Sequence, residues 1–539
     1  MKYPIGIQAF SQIREEGFVY IDKTDLIYSL ATEGKTYFLS RPRRFGKSLL
    51  LSTLEAYFLG KKELFKGLKI EALETEWNVY PVFHIDFGKG RFEKQGTLEE
   101  AIDGYLSGWE KTYGIENNYT DFGLRFADII ENVCRKTGMR CAVLIDEYDK
   151  PLLDVMSSDV MIPREGGSPV SLEEHNRSIL KGFYSSFKGV DESLKFVFLT
   201  GVTKFSQVNV FSGFNQPDDI SMTVKYEALC GITEQEMVDS FAEPITEMGR
   251  QYGCSFTQMV EMLRKQYDGY HFSKKMTGIY NPFSLLNAFS KSDIQDYWFR
   301  SGTPTYLVHL LNHTHENLDE LVGKYYPTSQ FIDYKADREM PLPMIYQSGY
   351  LTIKDYRSRT NTFLLDFPND EVKRGFTAVL ANSYLKSRED ADTVITHCVD
   401  NLYDGNIEAF ITRLTSFFAS IPYSMHQKKD KEQFFHYTFY LLLRLLSTYV
   451  TYTEKQQSQG RVDCIVETDK FVYIFEFKLD GTAEEALRQI EAKGYATEYA
   501  ADSRKLFKIG VNFSSETGTV SGWKAEQASI NPTAIQGTV

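Results

Sequence analysis

Residues 37–48 read Tyr37-Phe38-Leu39-Ser40-Arg41-Pro42-Arg43-Arg44-Phe45-Gly46-Lys47-Ser48. The first four residues are mostly aromatic or aliphatic and predict a short buried strand. Beyond the quoted stretch, apolar residues recur at helical spacing, at Leu49, Leu50, Leu51, Leu54, Phe58 and Leu59. The stretch therefore predicts a strand, a loop and a helix in succession, which is the setting of a phosphate-binding P-loop.

The loop matches the end of the P-loop pattern G-x-x-x-x-G-K-[ST] at Gly46, Lys47 and Ser48, whereas Arg41 replaces its first glycine. In such a loop, backbone N–H groups and the helix N-terminus bind phosphate, the lysine reaches the β- and γ-phosphate oxygens, and the hydroxyl binds Mg²⁺. We expect ATP to be bound by Arg43, Arg44, Phe45, Gly46, Lys47, Ser48 and Leu49, with Ser48 as a Mg²⁺ ligand.

Two acids follow a second apolar strand at residues 141–145. Asp146 is predicted to hold the Mg²⁺ shell, and Glu147 is predicted to act as the catalytic group that polarises the attacking water. A third strand, at residues 196–199, precedes two hydroxyl side chains that could sense the γ-phosphate, namely Thr200 and Thr203. Strands that alternate with helices predict a parallel α/β sheet.

Further along the chain the pattern predicts other elements. A further strand is expected at 79–85, a capping box at Thr233 and Glu236, short strands at 344–351 and 362–367, and helices over 375–450. From about residue 451 the order becomes strand, strand, helix, strand. We divide the chain into domains at 1–230, 231–330, 331–430 and 431–539.

Composition excludes some classes of protein. The chain has 539 residues, a net charge of −13, and six cysteines without a C-x-x-C pair. These features argue against a disulfide scaffold and a structural zinc site, and they fit a cytoplasmic protein. We expect no signal peptide, and no stretch approaches the roughly 18 apolar residues that cross a membrane. The charge does not indicate nucleic-acid binding, although local patches decide that property.

The tail contains a second constellation. Residues 460–466 and 471–478 predict a hairpin, and a turn centred on Asp469-Lys470 would place Asp463 opposite Glu476. Lys478 shares the face of Glu476 because strand side chains alternate. We expect both carboxylates to bind Mg²⁺ or Mn²⁺ and Lys478 to orient the water. Gln489 lies in a helix that begins with a Thr482–Glu485 capping box, and it could contact metal-bound water or phosphate.

Several short motifs accompany these sites, at 20–24, 41–48, 144–149, 267–270, 280–282, 301–304, 347–351, 460–463, 476–478, 489 and 510–513. Together they resemble a bacterial family of AAA-ATPase-like proteins fused to a C-terminal PD-(D/E)XK nuclease-superfamily domain. The resemblance implies a P-loop ATPase domain, a helical lid at 230–330, a winged-helix-like element at 330–370, and a restriction-endonuclease-like α/β domain. That family shares the arginine at the position of Arg41.

These features favour an ATPase coupled to a metal-dependent nuclease whose expected substrate is DNA. An alternative is a nucleotide-dependent signalling or defence switch whose nuclease-like domain only binds a partner. The retention of Asp463, Glu476 and Lys478 together argues against that alternative. An arginine supplied in trans would require a homo-oligomer, and the sequence leaves the oligomeric state open.

Overall fold

The computed structural model describes residues 1–156, 158, 160–164, 167–204, 217–300, 321–332, 341–385, 391–420, 451–453, 456–457, 460–461, 464–499 and 502–527. The chain divides into two compact units, residues 1–372 and 373–539. The finer division into four domains stays a prediction. No helix in the described part of the chain combines the length and apolar character needed to cross a bilayer.

The first unit contains twelve described strands, with helices between several of them. The strands are β1 (Thr36–Ser40), β2 (Val82–Asp86), β3 (Cys141–Asp146), β4 (Met161–Arg164), β5 (Gly167–Ser171), β6 (Leu194–Gly201), β7 (Asp218–Asp219), β8 (Ile232–Thr233), β9 (Ile279–Tyr280), β10 (Lys324–Pro327), β11 (Thr352–Arg357) and β12 (Thr362–Asp366). The helices are α1 (Phe10–Glu15), α2 (Thr24–Glu33), α3 (Lys47–Phe58), α4 (Thr97–Tyr113), α5 (Phe122–Thr137), α6 (Lys150–Leu153), α7 (Leu172–Ser185), α8 (Glu234–Gln251), α9 (Phe256–Tyr267), α10 (Pro282–Lys291), α11 (Tyr297–Arg300), α12 (Pro341–Gln347) and α13 (Asp370–Leu385), the last of which continues into the second unit.

The central sheet has the strand order β2-β3-β6-β1-β7, and all of its pairs are parallel. The predicted parallel α/β sheet is therefore confirmed. Every residue of β3 is buried. Because the carboxyl ends of parallel strands meet at one edge, the ends of β1, β2, β3 and β6 lie together. The strand predicted at 79–85 begins later, at Val82, since Pro81 has no N–H to donate to a ladder.

After this sheet the chain becomes helical, as predicted. The capping box of Thr233 and Glu236 is present at the start of α8. A small sheet of order β10-β12-β11 follows. Along the chain, α12 lies between β10 and β11, which fits the winged-helix-like expectation. The strand predicted at 344–351 is wrong. Residues 341–347 form α12 because an apolar segment buried on all sides has no periodicity that separates helix from strand, and Pro341 and Pro343 are tolerated in a first helical turn.

The second unit has a mixed sheet of order β13-β16-β17-β18-β19. Its elements are α14 (Ala391–Tyr403), α15 (Ile407–Ser420), β13 (Thr451–Thr453), β14 (Gln456–Gln457), β15 (Gly460–Arg461), β16 (Cys464–Glu467), β17 (Phe471–Leu479), α16 (Ala483–Ala492), β18 (Lys505–Ser514) and β19 (Thr519–Gln527). The helix α16 connects the parallel strands β17 and β18. The apolar core between α16 and the sheet includes Ile465, Ile474, Leu487 and Ile490.

Two local predictions about this unit are confirmed. The antiparallel pair β16–β17 has the predicted register, in which Cys464 lies opposite Phe475 and Glu467 opposite Val472. The capping box of Thr482 and Glu485 starts α16. Asp463 itself lies outside the described residues, so its pairing with Glu476 stays a prediction.

Candidate functional site

The loop after β1 has the backbone of a phosphate-binding loop. Arg44 and Gly46 have φ values of 69° and 91°, in the left-handed region. A Cβ on Gly46 would meet nothing within 4 Å, so the backbone conformation and not space favours glycine there. The helix α3 begins at Lys47, and no side chain caps its N-terminus. Its first N–H groups therefore point their partial positive charge toward the loop.

Arg41, which stands at the position of the first P-loop glycine, anchors the loop. Its buried guanidinium donates hydrogen bonds to the carbonyl oxygens of Ser40 (2.9 Å), Ser221 (2.8 Å) and Tyr226 (3.3 Å). It also lies 4.0 Å from the centroid of the Phe272 ring. Burial lowers the pKa of Arg41. The side chain is therefore part of the scaffold beneath the loop and does not face its opening.

Lys47 places a buried positive charge beside the acids that end β3. Its Nζ donates to the carbonyl oxygens of Arg41 (3.0 Å) and Pro42 (3.1 Å). Burial lowers the pKa of Lys47, while the charges of Asp146 and Glu147 oppose that shift. The pKa values of both acids are raised by burial, and the nearby lysine counteracts the rise. The nearby Ser48 hydroxyl also lowers the pKa of Asp146 and so counteracts part of the rise that burial causes. A hydroxyl and a carboxylate are the oxygen ligands that Mg²⁺ prefers.

Asp149, which we did not predict, connects the ends of β3 and β6. Its Oδ2 accepts hydrogen bonds from the backbone N–H groups of Val202 (3.0 Å) and Thr203 (2.6 Å) and from the Thr203 hydroxyl (2.7 Å). A Cβ on Gly201 would lie 2.5 Å from Asp149 Oδ1, so glycine is needed there. The Thr203 hydroxyl is thus engaged, and Thr200 is fully buried.

Asp86 is a second acid that the sequence analysis missed. It ends β2 and is the register partner of Asp146. Its charge contributes to the raised pKa of Asp146, after the larger effect of burial. A Cβ on Gly88 would lie 2.8 Å from Asp86 Oδ1 and 3.0 Å from Glu147 Oε2, so glycine lets both carboxylates approach the same point. The acidic edge of the sheet is therefore wider than the predicted Asp146–Glu147 pair.

A cavity of about 410 Å³ opens over the loop, within the usual size of small-molecule sites. Predicted residues that line it are Arg43, Arg44, Gly46, Lys47, Ser48, Leu49 and Glu147. Its other lining residues include Pro4, Ile5, Gly6, Ile7, Gln8, Lys150, Val202, Pro282, Phe283, Leu286, Trp298, Ser348 and Tyr350. Phe45, Asp146 and Thr200 do not line it; the Phe45 ring packs on Tyr270 instead, at a centroid distance of 4.8 Å. The lining thus combines cationic side chains with apolar and aromatic ones.

The second unit brings three predicted side chains together. Glu476 and Lys478 lie on one face of β17, and Lys478 Nζ is 3.4 Å from Glu476 Oε1. Lys478 also donates to Gln489 Oε1 on α16, at 2.6 Å. Glu476 is buried and Lys478 is partly exposed. Within the described part of the chain, no three His, Cys, Asp or Glu side chains form a group that could hold a metal ion. The fourth predicted residue of this site, Asp463, lies outside that part.

Close packing of α16 on β18 fixes this arrangement. A Cβ on Gly510 would lie 2.2 Å from the carbonyl oxygen of Ala483, so only glycine permits the contact. Asn512, the register partner of Lys478, accepts a hydrogen bond from the backbone N–H of Gly481 (2.8 Å) through Oδ1. The glycine and the asparagine therefore set where α16 starts, and with it the position of Gln489.

Comparison with known proteins identifies a family for a segment near each end of the chain. Residues 4–211 match the AAA-ATPase-like family, described as predicted AAA-ATPases, and residues 430–523 match the PD-(D/E)XK nuclease superfamily. The chain is 34% identical over 534 residues to a protein of the vnfD 5′ region of Azotobacter chroococcum mcd 1, covering 97% of this chain and 99% of that one. The chain belongs to this AAA-ATPase-like, PD-(D/E)XK-fused family.

This AAA-ATPase-like protein brings residues to its P-loop from distant parts of the sequence. Trp298 and Tyr350 line the cavity although more than 200 residues separate them from Lys47. Tyr350 lies in the motif at 347–351, whereas Trp298 lies in none of the motifs named above. Asp149 could have been found, because it lies three residues after Asp146 in a motif that the family shares. The turn at Pro4–Gln8 had no recognisable pattern, and only the fold places it beside the loop.

Proposed function

We propose that this protein binds and hydrolyses ATP at the Lys47 loop and that its C-terminal unit is a metal-dependent nuclease acting on nucleic acid, with DNA as the expected substrate. The observation that carries the proposal is the convergence of Lys47, Ser48 and Glu147 on one cavity. Lys47 and Ser48 begin the helix that follows the loop, and Glu147 directly follows the buried strand β3; the sequence singles out the two segments independently.

Each side chain of the first site has a distinct task. Lys47 neutralises the β- and γ-phosphate charge, and the N–H groups at the start of α3 add donors that need no reorganisation. Bound Mg²⁺ would supply charge stabilisation for the phosphates, and the Ser48 hydroxyl and the Asp146 carboxylate would hold it. Glu147 accepts a proton from the attacking water, a role that its burial-raised pKa favours.

In the second unit, Glu476 and the predicted Asp463 would hold a divalent cation, Mg²⁺ or Mn²⁺, which would stabilise the charge that develops on phosphate. Lys478 lies within hydrogen-bonding distance of both Glu476 and Gln489. It is therefore positioned to orient water, and Gln489 fixes the direction of its ammonium group.

Two assays on purified full-length protein test this proposal. Phosphate release from ATP is measured for the wild type and Glu147→Gln, and cleavage of linear DNA and of RNA with Mg²⁺ or Mn²⁺ is measured for the wild type and Glu476→Gln. We expect each variant to lose only its own activity. Glu484→Gln, an exposed acid on α16, is the control for the nuclease assay.

Nucleic acid that stays intact across these substrates and metals, in a protein that still binds ATP, would instead support a nucleotide-dependent switch. Cleavage of nucleic acid by a protein that does not hydrolyse ATP would support the proposed nuclease activity and overturn the proposed ATPase activity. In both cases the result of each assay applies to one site only.

A further inference from the structure

The carbonyl oxygen of Arg43 in the phosphate-binding loop is held by a residue far away in sequence. The indole Nε1 of Trp298 donates to it at 3.0 Å. Trp298 also lines the cavity, and its ring packs on Tyr350 at a centroid distance of 5.4 Å. Next to it, the Arg44 guanidinium lies 5.0 Å from the centroid of the Phe283 ring. Trp298 and Phe283, which lie outside the loop, thus contact it on both residues around its left-handed turn, Arg43 and Arg44.

Trp298 is itself held by a buried carboxyl group. Its backbone N–H donates to Glu371 Oε1 at 2.7 Å and lies 3.1 Å from the Ser284 hydroxyl oxygen. The Ser284 hydroxyl donates to Glu371 Oε2 at 2.8 Å. Glu371 is only 1% exposed. Burying a carboxyl group in this way costs free energy unless its oxygens are satisfied, and here both accept hydrogen bonds.

The first turn of α13, which carries Glu371, is fixed in turn. Asn369 Oδ1 accepts a hydrogen bond from the backbone N–H of Val372 at 3.1 Å, and Asn369 Nδ2 donates to the carbonyl oxygen of Asp268 at 2.8 Å. A Cβ on Gly269 would lie 2.1 Å from the Pro368 carbonyl oxygen, so the two segments touch through their backbones. Glu371 therefore has a rigid support.

We propose that Glu371 and Trp298 are positioning residues for the nucleotide: Glu371 fixes the main chain of Trp298, and the Trp298 indole fixes the Arg43 carbonyl so that the loop stays shaped for phosphate. This inference rests on the proposed ATP binding at Lys47. It assigns to residues from α11 and α13 a role in a site whose chemistry lies on α3 and β3. Glu371 does not line the cavity, and both residues are proposed to act through the loop backbone.

The test is a double-mutant cycle on Mg²⁺-ATP affinity, measured by calorimetry on the full chain. Trp298→Phe keeps an aromatic ring but removes the N–H, and Glu371→Ala removes both acceptors. We expect each single variant to weaken ATP binding about 3- to 10-fold, as for the loss of one hydrogen bond. The double variant should bind ATP only slightly more weakly than either single variant, because both changes break the same chain of hydrogen bonds from Glu371 through Trp298 to Arg43. Glu371→Gln, whose amide oxygen can still accept from Trp298, should restore affinity.

Two controls separate positioning from general destabilisation. Trp109→Phe alters a tryptophan that packs on Phe83 and Phe126, away from the cavity. Glu227→Ala removes another buried carboxylate, which accepts from the hydroxyls of Ser273 and Thr277. Both controls should bind ATP as the wild type does. Tryptophan fluorescence should change on ATP addition in the wild type and in Trp109→Phe, but not in Trp298→Phe.

The outcomes distinguish this inference from the function on which it rests. A wild-type chain that binds no ATP overturns the proposed function and this inference together. A wild type that binds ATP, with unchanged affinity in Trp298→Phe, overturns this inference alone, as does strict additivity in the cycle. If Glu371→Ala fails to fold, Trp298→Phe decides, because it leaves the buried carboxyl group and its Ser284 partner in place.

Discussion

Replacement of Lys47 by methionine should separate folding from nucleotide binding. The Lys47 ammonium is buried and donates two hydrogen bonds to backbone carbonyl oxygens. Burial nevertheless lowers its pKa, which means that the charged form is disfavoured there despite three nearby acids. Methionine has a similar length and no charge. We therefore expect the nucleotide-free protein to change in stability by no more than about 1–2 kcal/mol, since lost hydrogen bonds and relieved desolvation oppose each other.

The affinity for ATP should change much more than the stability of the nucleotide-free protein when Lys47 is replaced. A buried lysine paired with phosphate contributes about 3 kcal/mol or more, so ATP affinity should fall at least about 100-fold. At an ATP concentration of about 100 times the wild-type Kd, ATP raises the free energy of unfolding by about 2.7 kcal/mol. The variant would gain only about 0.4 kcal/mol at that concentration. For the unit of residues 1–372, with an unfolding entropy of about 2.1 cal/mol/K per residue, the wild-type gain corresponds to a rise in Tm of about 3–4 °C.

Thermal unfolding with and without Mg²⁺-ATP measures both effects in one experiment. We expect a nearly unchanged Tm for nucleotide-free Lys47→Met and a loss of the ATP-dependent rise. Lys62→Met, at an exposed lysine of the same unit, should retain that rise. An equal ATP-dependent rise in Lys47→Met and the wild type would refute the placement of phosphate at Lys47.

Three further predictions concern stability and packing. Burial raises the pKa of Glu371 to about 8, above the roughly 4.3 of an unfolded glutamate, so between these values the folded state keeps a proton that the unfolded state has lost. The free energy of unfolding of the wild type should therefore fall as pH rises toward 8, by at most about 5 kcal/mol. Urea unfolding should show that the stability of Glu371→Gln rises relative to that of the wild type over that range. A stability difference between the two proteins that is independent of pH would contradict this expectation. Thr482→Ala should cost about 0.5–2 kcal/mol through loss of the capping box of α16, whereas Thr482→Ser should be close to neutral in the same denaturation assay. Gly510→Ala should force α16 away from β18 and abolish cleavage with Glu476 intact, and wild-type cleavage by that variant would argue against the packing described.

Local patterns were enough to predict much of this molecule. The strand–loop–helix around Lys47 follows from residues next to each other, and so do the capping boxes at Thr233 and Thr482. The register of β16 and β17 follows from the position of one turn. In each case the interacting groups are close in sequence, and their geometry is set by backbone dihedrals and hydrogen bonds that the residue types favour.

Long-range contacts could not be predicted in this way. The role of Arg41 depends on Phe272, which lies on a segment more than 200 residues away, so the sequence alone could not say whether this arginine meets phosphate or packs as scaffold. Trp298 reaches Arg43 across a similar separation. The helix α12 was mistaken for a strand because burial on all sides erases the periodicity on which that prediction depended.

We propose that ATP bound at Lys47 changes the rate of metal-dependent cleavage at Glu476 in the same chain. The most direct test of this proposal is the initial rate of Mg²⁺-dependent cleavage of linear DNA, measured with and without ATP for the wild type, Lys47→Met and Glu476→Gln. We expect ATP to change the wild-type rate and to leave the Lys47→Met rate unaltered, and we expect Glu476→Gln not to cleave at all. Wild-type cleavage that is identical with and without ATP, or cleavage that survives in Glu476→Gln, would contradict it.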